Sequence, residues 1–354
     1  MAPLVPRMHL FEIDDQPWFP AMFRARVQAA LTIAWTFKVP GLQKTSPARM
    51  VASLLSSNLG SSVRDYVFID FCAGGGGPTP SIEKHLNQSL DSSSSAISRP
   101  SSSSSTGPKG PSYAAIVAEG PAVTNGTNGS SAPNGHSTTT SDQPVRFVLT
   151  DLHPHVEDWQ KAASASPNLS YIPDSVDAAN APADLVGRYK RDGKKVFRLF
   201  NLAFHHFDDP LARAILKNTV ETSDGFGIFE LQERNFSSFL TCCAFGLGIM
   251  LVAPYYAWVW RSPMTLFFTY IVPILPFVLV FDGWMSALRT RTPDEVEVLL
   301  RTCGAGTPEE ISKHWEVRSG KSMFLWPFGY LNWIIVLRKQ GQCEGEGEGQ
   351  KTTL

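Results

Sequence analysis

The sequence predicts an α/β fold: a doubly wound, mostly parallel sheet with helices on both faces. Three observations carry the prediction. Val67-Phe-Ile-Asp-Phe-Cys-Ala-Gly-Gly-Gly-Gly77 runs from a buried-strand pattern straight into glycines, and a helical segment follows from Pro78 to Leu86. Apolar strands then alternate with helical stretches as far as Glu230, the pattern of parallel strands joined by crossover helices. Lastly, Val145-Arg-Phe-Val-Leu-Thr-Asp151 is a second strand ending in an acid, and such sheets hold ligands at the carboxyl ends of their strands.

The spacing of that acid is the strongest number in the chain. Gly74 and Asp151 lie 77 positions apart, against about 20 between a glycine turn and the acid that holds a ribose. Residues 88 to 143 are rich in Ser, Gly, Thr, Pro and Asn, a composition that cannot bury enough apolar surface to offset its ordering entropy. They are expected to form a disordered insertion. Taking its 56 positions from the 77 leaves 21, as the turn requires.

Charged residues make up 18% of the 354 positions, against a usual ~25%. The deficit falls in that insertion and in residues 236 to 281, whose one charged residue is Arg261. Without these 56 and 46 positions 252 remain, the size of one catalytic α/β domain. A net charge of −1 gives no electrostatic footprint for nucleic acid. Five cysteines without ligand spacing argue against a disulfide framework, and no metal site is expected. Glu12, Asp14 and Asp15 precede any apolar run, so no signal peptide is expected.

In chain order, residues 1 to 62 are expected to form an N-terminal helical cap. Within it Pro17 to Trp35 reads as an amphipathic helix with Arg24 and Arg26 on one flank. It would lie on a membrane surface, cover the substrate pocket, or pack on the sheet as an ordinary helix. Residues 63 to 235 form the core. After Asp151 come a third strand over Asn168 to Asp174 and a fourth from Lys195 into an exit loop ending at Phe207. A helix beginning near Pro210 and capped by Asp208 or Asp209 leads to a fifth strand, Gly225 to Glu230. Residues 283 to 340 complete the sheet, with a helix capped at Thr292 and two final strands, and residues 341 to 354 form a disordered tail.

Residues 236 to 282 form the second insertion. Its 24 uncharged positions from 237 to 260 and 20 more from 262 to 281 each match a bilayer crossing. Tyr255, Tyr256, Trp258 and Trp260 gather at the join, as interfacial anchors do. A two-helix hairpin is one reading. Pro254, Pro263, Pro273 and Pro276 keep a re-entrant or in-plane element open, and a buried or dimer-forming helix pair is a third. Strands on either side join one sheet, so both ends lie on one side of a bilayer. Arg234, Arg289 and Arg291 flank those ends, which places the catalytic domain in the cytosol by the positive-inside tendency.

Phe68 to Gly77, Leu149-Thr-Asp-Leu-His153 and Phe200-Asn-Leu-Ala-Phe-His-His-Phe-Asp-Asp209 together resemble class I S-adenosylmethionine-dependent methyltransferases, in a branch with a hydrophobic insertion after strand five. The resemblance covers residues 63 to 235 and implies a Rossmann-like sheet closed by an antiparallel pair, with S-adenosyl-L-methionine as cofactor. It implies that Asp70, Cys72, Ala73, Gly74, Gly75 and Gly76 meet the methionine moiety, that Asp151 holds the ribose and that Leu152 packs on the adenine. Asp174 or Asp177 would accept from the adenine amino group, and Asn201 to Phe204 would close the pocket floor. Cys72 departs from the pattern, since many members have glycine there, and is read as a small buried filler rather than a nucleophile.

His205 and His206 are candidate general bases for a hydroxyl or carboxyl acceptor. The alternative is that one caps the strand exit; neighbours on a loop are expected to face apart, so at most one would serve. The resulting expectation is a membrane-associated methyltransferase acting on a lipophilic small molecule or a membrane lipid, with oxygen the favoured acceptor and the oligomeric state open. The rivals are an NAD(P)-dependent oxidoreductase, weakened because the third glycine of its fingerprint falls on Thr79, and an inactive membrane scaffold with the same fold.

Overall fold

A computed structural model describes residue 3 and residues 5 to 97 and 143 to 339. Most of the first insertion and the terminal tail lie outside the described residues. The chain is a mixed α/β fold with a seven-stranded sheet and eleven helices among the described residues, consistent with a Rossmann-like fold.

The strands are β1 (Tyr66–Asp70), β2 (Arg146–Leu149), β3 (Leu169–Tyr171), β4 (Lys195–Asn201), β5 (Gly225–Glu230), β6 (Trp315–Leu325) and β7 (Gly329–Arg338). They lie in the order β3-β2-β1-β4-β5-β7-β6, with the first five parallel. β7 runs antiparallel to β5 and to β6. β1 and β5 are buried along their whole length, as expected for central strands covered on both faces. Phe68 stacks on Phe147 across β1 and β2, with ring centroids 4.9 Å apart.

One face is covered by α2 (Pro47–Leu59), α3 (Thr79–Ile97) and α4 (Val156–Ser164). The other is covered by α5 (Ala183–Arg191), α6 (Asp209–Thr222), α10 (Pro293–Arg301) and α11 (Pro308–His314). Local chemistry sets several boundaries. Asp208 accepts from the Leu211 amide at the start of α6, and Thr292 with Glu295 forms a reciprocal cap on α10. Arg198 on β4 is fully buried, its guanidinium 4.1 Å over Phe71 and bonded to Ser223, Asn218, Thr222 and the Ala178 carbonyl. Burial lowers its pKa to about 9.

The first insertion starts later than expected. α3 continues to Ile97 instead of ending before residue 88, because nothing in Gln88 to Ile97 breaks a helix already docked on α2 and β2. Asn87 ties the two ends of the excursion together. Its amide donates to the Val145 carbonyl and accepts from the Val145 N–H, at 3.0 and 2.8 Å.

The second insertion is α7 (Phe236–Val259), the short α8 (Pro263–Leu266) with a wide turn over Phe267–Ile271, and α9 (Ile274–Arg289). α7 is one helix long and apolar enough to cross a membrane, weak evidence for membrane association. The second half is a pair of helices bent by 64° at Val272 and Pro273, where proline withholds its N–H from the ladder. Leu247, Leu251, Trp258 and Ile271 are exposed.

α1 (Ala21–Thr36) meets the sheet-side core only at its C-terminal end, where Trp35 is buried with residues of α2. Phe23, Val27 and Ala30 along the helix, with Phe19 just before it, pack on Leu275, Val278 and Leu279 of α9. The three arginines that flank the insertion are buried and ion-paired: Arg234 with Glu295, Arg289 with Glu12 and Asp15, and Arg291 with Asp209. Their charge is balanced inside the protein, which removes the basis of the expected cytosolic orientation.

Candidate functional site

The carboxyl ends of β1, β2 and β4 bring most of the expected cofactor residues together. After β1 the chain turns on Gly74, Gly76 and Gly77, at φ +49°, +102° and +49°, conformations that side-chain-bearing residues rarely adopt. Asp151 Oδ2 accepts from the Gly74 amide at 2.8 Å and Oδ1 from the His153 amide at 2.8 Å, so the β2 acid stands against the β1 turn. Trp159 of α4 donates to the Gly74 carbonyl at 2.7 Å and backs the loop.

Asp70 is buried beneath this turn. Thr79 donates to its Oδ2, Asn201 Nδ2 donates to the same oxygen at 3.2 Å, and the Cys72 amide donates to Oδ1 at 3.3 Å. Burial pushes its pKa up to about 6, against the lowering effect of those bonds. Asn201 Oδ1 is buried with no hydrogen-bond partner among the described residues. Cys72 packs against the core beside Ala73, and burial pushes its thiol well above the ordinary range.

Leu152 stands at the rim, 53% exposed. Asp174 and Asp177 are both exposed on the loop after β3, and Asp177 accepts from the Ala179 amide. Phe204 is buried against Phe200 and Phe207.

Beyond Asn201 the β4 exit loop turns through Leu202, a non-glycine residue at φ +54°. Phe204–His206 then forms a 3₁₀ turn. This corrects the expectation that adjacent histidines must face apart. In a 3₁₀ turn successive side chains are about 120° apart rather than opposed, and His205 and His206 stack with ring centroids 4.2 Å apart. Both line one cavity of about 100 Å³, between the 3₁₀ turn, the strap of residues before α1, α7 and α9.

Its polar end holds Glu12, Asp14 and Asp282, and its walls are Leu202, Leu231, Phe245 and Leu279. Asp282 fixes the strap by accepting from the amides of Ile13 and Asp14 at 2.7 and 3.0 Å. Burial, then the nearby Asp282, raises the Asp14 pKa.

Each histidine is held on its far side by a carboxylate. His205 Nδ1 lies 2.9 Å from Glu230 Oε2 at the end of β5, and His206 Nδ1 lies 3.1 Å from Asp15 Oδ2. Because a carboxylate only accepts, each Nδ1 carries a proton. Nε2 of His205 is 3.7 Å from Glu12 Oε1 and Nε2 of His206 is 3.9 Å from Glu12 Oε2. Burial opposes the charged form of His206, but the Asp15 hydrogen bond and the charges of Glu12 and Asp15 outweigh it and hold the pKa at about 9.

The acids of this cavity escaped sequence reasoning. Asp282 carried the one available signal: a carboxylate directly after 20 uncharged residues, followed by a glycine.

No protein-family model matches the chain, and no curated protein does. Among solved structures, it aligns with a provisionally named Zn-dependent alcohol dehydrogenase from Rhodobacter sphaeroides at 12% identity and a TM-score of 0.38, over 89% of this chain and 98% of that one. It aligns with EvdMO1 at 10% identity and a TM-score of 0.33, over 89% of this chain and 47% of that one, so the match spans about half of EvdMO1. Likeness at these scores says nothing about activity.

Proposed function

We propose that the chain is a membrane-associated S-adenosylmethionine-dependent methyltransferase whose acceptor is a lipophilic small molecule or lipid, with oxygen the favoured atom. The observation that carries the reading is the turn at Gly74 to Gly77 held against Asp151. Three positive-φ glycines leave a cradle that a Cβ would fill, beside an acid suited to ribose hydroxyls. The residues fit such a cofactor in a second respect: Asn201 Oδ1 is a buried acceptor still without a donor. The order β3-β2-β1-β4-β5-β7-β6, with β7 reversed, agrees with the antiparallel closing pair that the sequence resemblance implies.

On this reading Asp151 would hold the ribose, the glycine turn the amino-acid end, and Leu152 the adenine. When bound, the cofactor supplies an electrophilic methyl group. Transfer of such a group needs chiefly proximity and orientation. The cavity beyond Asn201 would take only the polar end of an amphipathic acceptor, with apolar walls that include Phe245 of α7 and Leu279 of α9 and a polar end at Glu12 and the two histidines.

Thr79 argues against the oxidoreductase. Its hydroxyl is bonded to Asp70, where a dinucleotide turn needs a bare glycine for close packing.

Titration calorimetry of the detergent-solubilised full chain with S-adenosylmethionine tests the cofactor. Saturable binding that Asp151→Ala abolishes is expected; no binding by folded protein overturns the proposal. Deleting residues 237 to 281 should release the chain from liposomes in a flotation assay, and unchanged flotation overturns the membrane part.

A further inference from the structure

We infer that Glu12, His205 and His206 form a binding site for a divalent transition-metal ion of the Zn²⁺ class. The site stands whether or not the chain transfers methyl groups. One ligand atom from each of the three residues lies within 4.8 Å of the others. Zinc bonds of about 2.0–2.2 Å at tetrahedral angles place neighbouring donors about 3.4 Å apart. His205 Nε2 lies 3.7 Å from Glu12 Oε1 and His206 Nε2 3.9 Å from Glu12 Oε2, so the three groups stand slightly further apart than in a bound site and would draw together on an ion.

The surroundings are those of a ligand set rather than a chance cluster. Both imidazoles turn Nε2 toward Glu12, and each Nδ1 is held by a carboxylate, Glu230 for one and Asp15 for the other, so a bound ion would displace a proton only at the His206 Nε2. Gln232 braces Glu230 from the side at 3.2 Å. Glu12 and His205 are almost wholly buried, whereas His206 borders the cavity and is about one-third exposed on its side chain. Three protein ligands leave a fourth position facing that cavity, the arrangement of a reactive rather than a closed structural site.

Two other contacts bear on Glu12. Arg289 Nη1 lies 2.9 Å from Oε1, and Ser286 donates to Oε1 at 2.9 Å. Both engage Oε1, the oxygen nearer His205, and leave Oε2, the oxygen toward His206, as the one an ion would take. Glu12, Asp15 and Glu230 together outnumber the single Arg289, so an added cation is electrostatically accommodated. Two imidazoles with one carboxylate favour Zn²⁺, Co²⁺ or Fe²⁺ over Mg²⁺ or Ca²⁺.

The test uses the full chain in detergent, stripped with a chelator and titrated calorimetrically with ZnCl₂. One equivalent is expected to bind, and MgCl₂ in excess should not compete. Glu12→Gln and His206→Ala should weaken binding more than about 100-fold, and Asp15→Asn about 10- to 100-fold. Circular dichroism establishes that each variant is folded. The inference is overturned if folded protein binds no Zn²⁺, or if Glu12→Gln and His206→Ala bind as the parent does.

Discussion

The two ends of the β4 exit loop make different kinds of site. On one side, the glycine turn, Asp70 and Asp151 belong to adjacent strand ends, and their geometry follows from a backbone pattern. On the other, Glu12, Asp282, Glu230 and the histidine pair come from a strap, an apolar helix, a strand end and a 3₁₀ turn. The first is held by peptide conformation; the second is held by charge, each buried group depending on a partner far away in sequence. A change in the first should therefore act through backbone strain or one carboxyl proton, and a change in the second through loss of long-range contacts.

The largest effect is expected at Asp70. In the unfolded chain its pKa lies near 3.8, but burial raises it to about 6 in the folded protein. Between these values the folded state keeps a proton that the unfolded state has released. Stability therefore falls as pH rises through that window and stays lower above it, by about 3 kcal/mol. Asp70→Asn has no such proton. Urea unfolding at pH 4 and pH 7 should show the wild type losing about that much relative to the variant, and parallel pH dependences would refute the assignment.

The same contrast explains what the sequence revealed. β1, its turn, Asp151, the Asp208 and Thr292 caps and β5 were legible because each depends on neighbours a few residues away. The extension of α3 to Ile97 was not, since Ser-rich composition gives no sign that Asn87 and the docking of α2 stabilise the helix. Arg198 is a charged residue within the fourth strand, and its buried bonds to Ser223 and Asn218 have no local signature. The cavity was least legible of all: positions 12, 205 and 282 share no spacing, and only the folded chain joins them.

Next in size is Gly76, at φ +102° with open contacts around its absent Cβ. Gly76→Ala strains the backbone without creating a clash, at a cost of about 1–3 kcal/mol, and, on the proposed function, should lower affinity for S-adenosylmethionine more than about tenfold. Gly187 within α5 is the control, having neither positive φ nor a close neighbour. Gly187→Ala should stabilise the fold by up to about 1 kcal/mol through helix propensity. Thermal unfolding of both variants sharpens the comparison, and equal shifts would show that the turn carries no special strain.

In the charged region the matching change is Asp282→Ala. It removes the acceptor for two strap amides, a loss of about 1–2 kcal/mol. Because the strap touches α9 and not the glycine turn, limited proteolysis should cut residues 8 to 16 faster while cofactor affinity stays unchanged. Slowed cofactor binding in this variant would mean that the two regions are coupled through Leu202 and the 3₁₀ turn.

The smallest effect distinguishes a binding surface from a structural one. Leu152 is an apolar side chain left about half exposed at the rim of the glycine turn, so it contributes little to folding. Leu152→Ala should change stability by no more than about 0.5 kcal/mol. If an adenine covers its exposed half, the truncation loses about 1 kcal/mol of apolar burial in the complex, roughly a fivefold rise in Kd. Calorimetric titration of the variant reads that change directly. An unchanged Kd would show that Leu152 does not cover an adenine in the proposed complex.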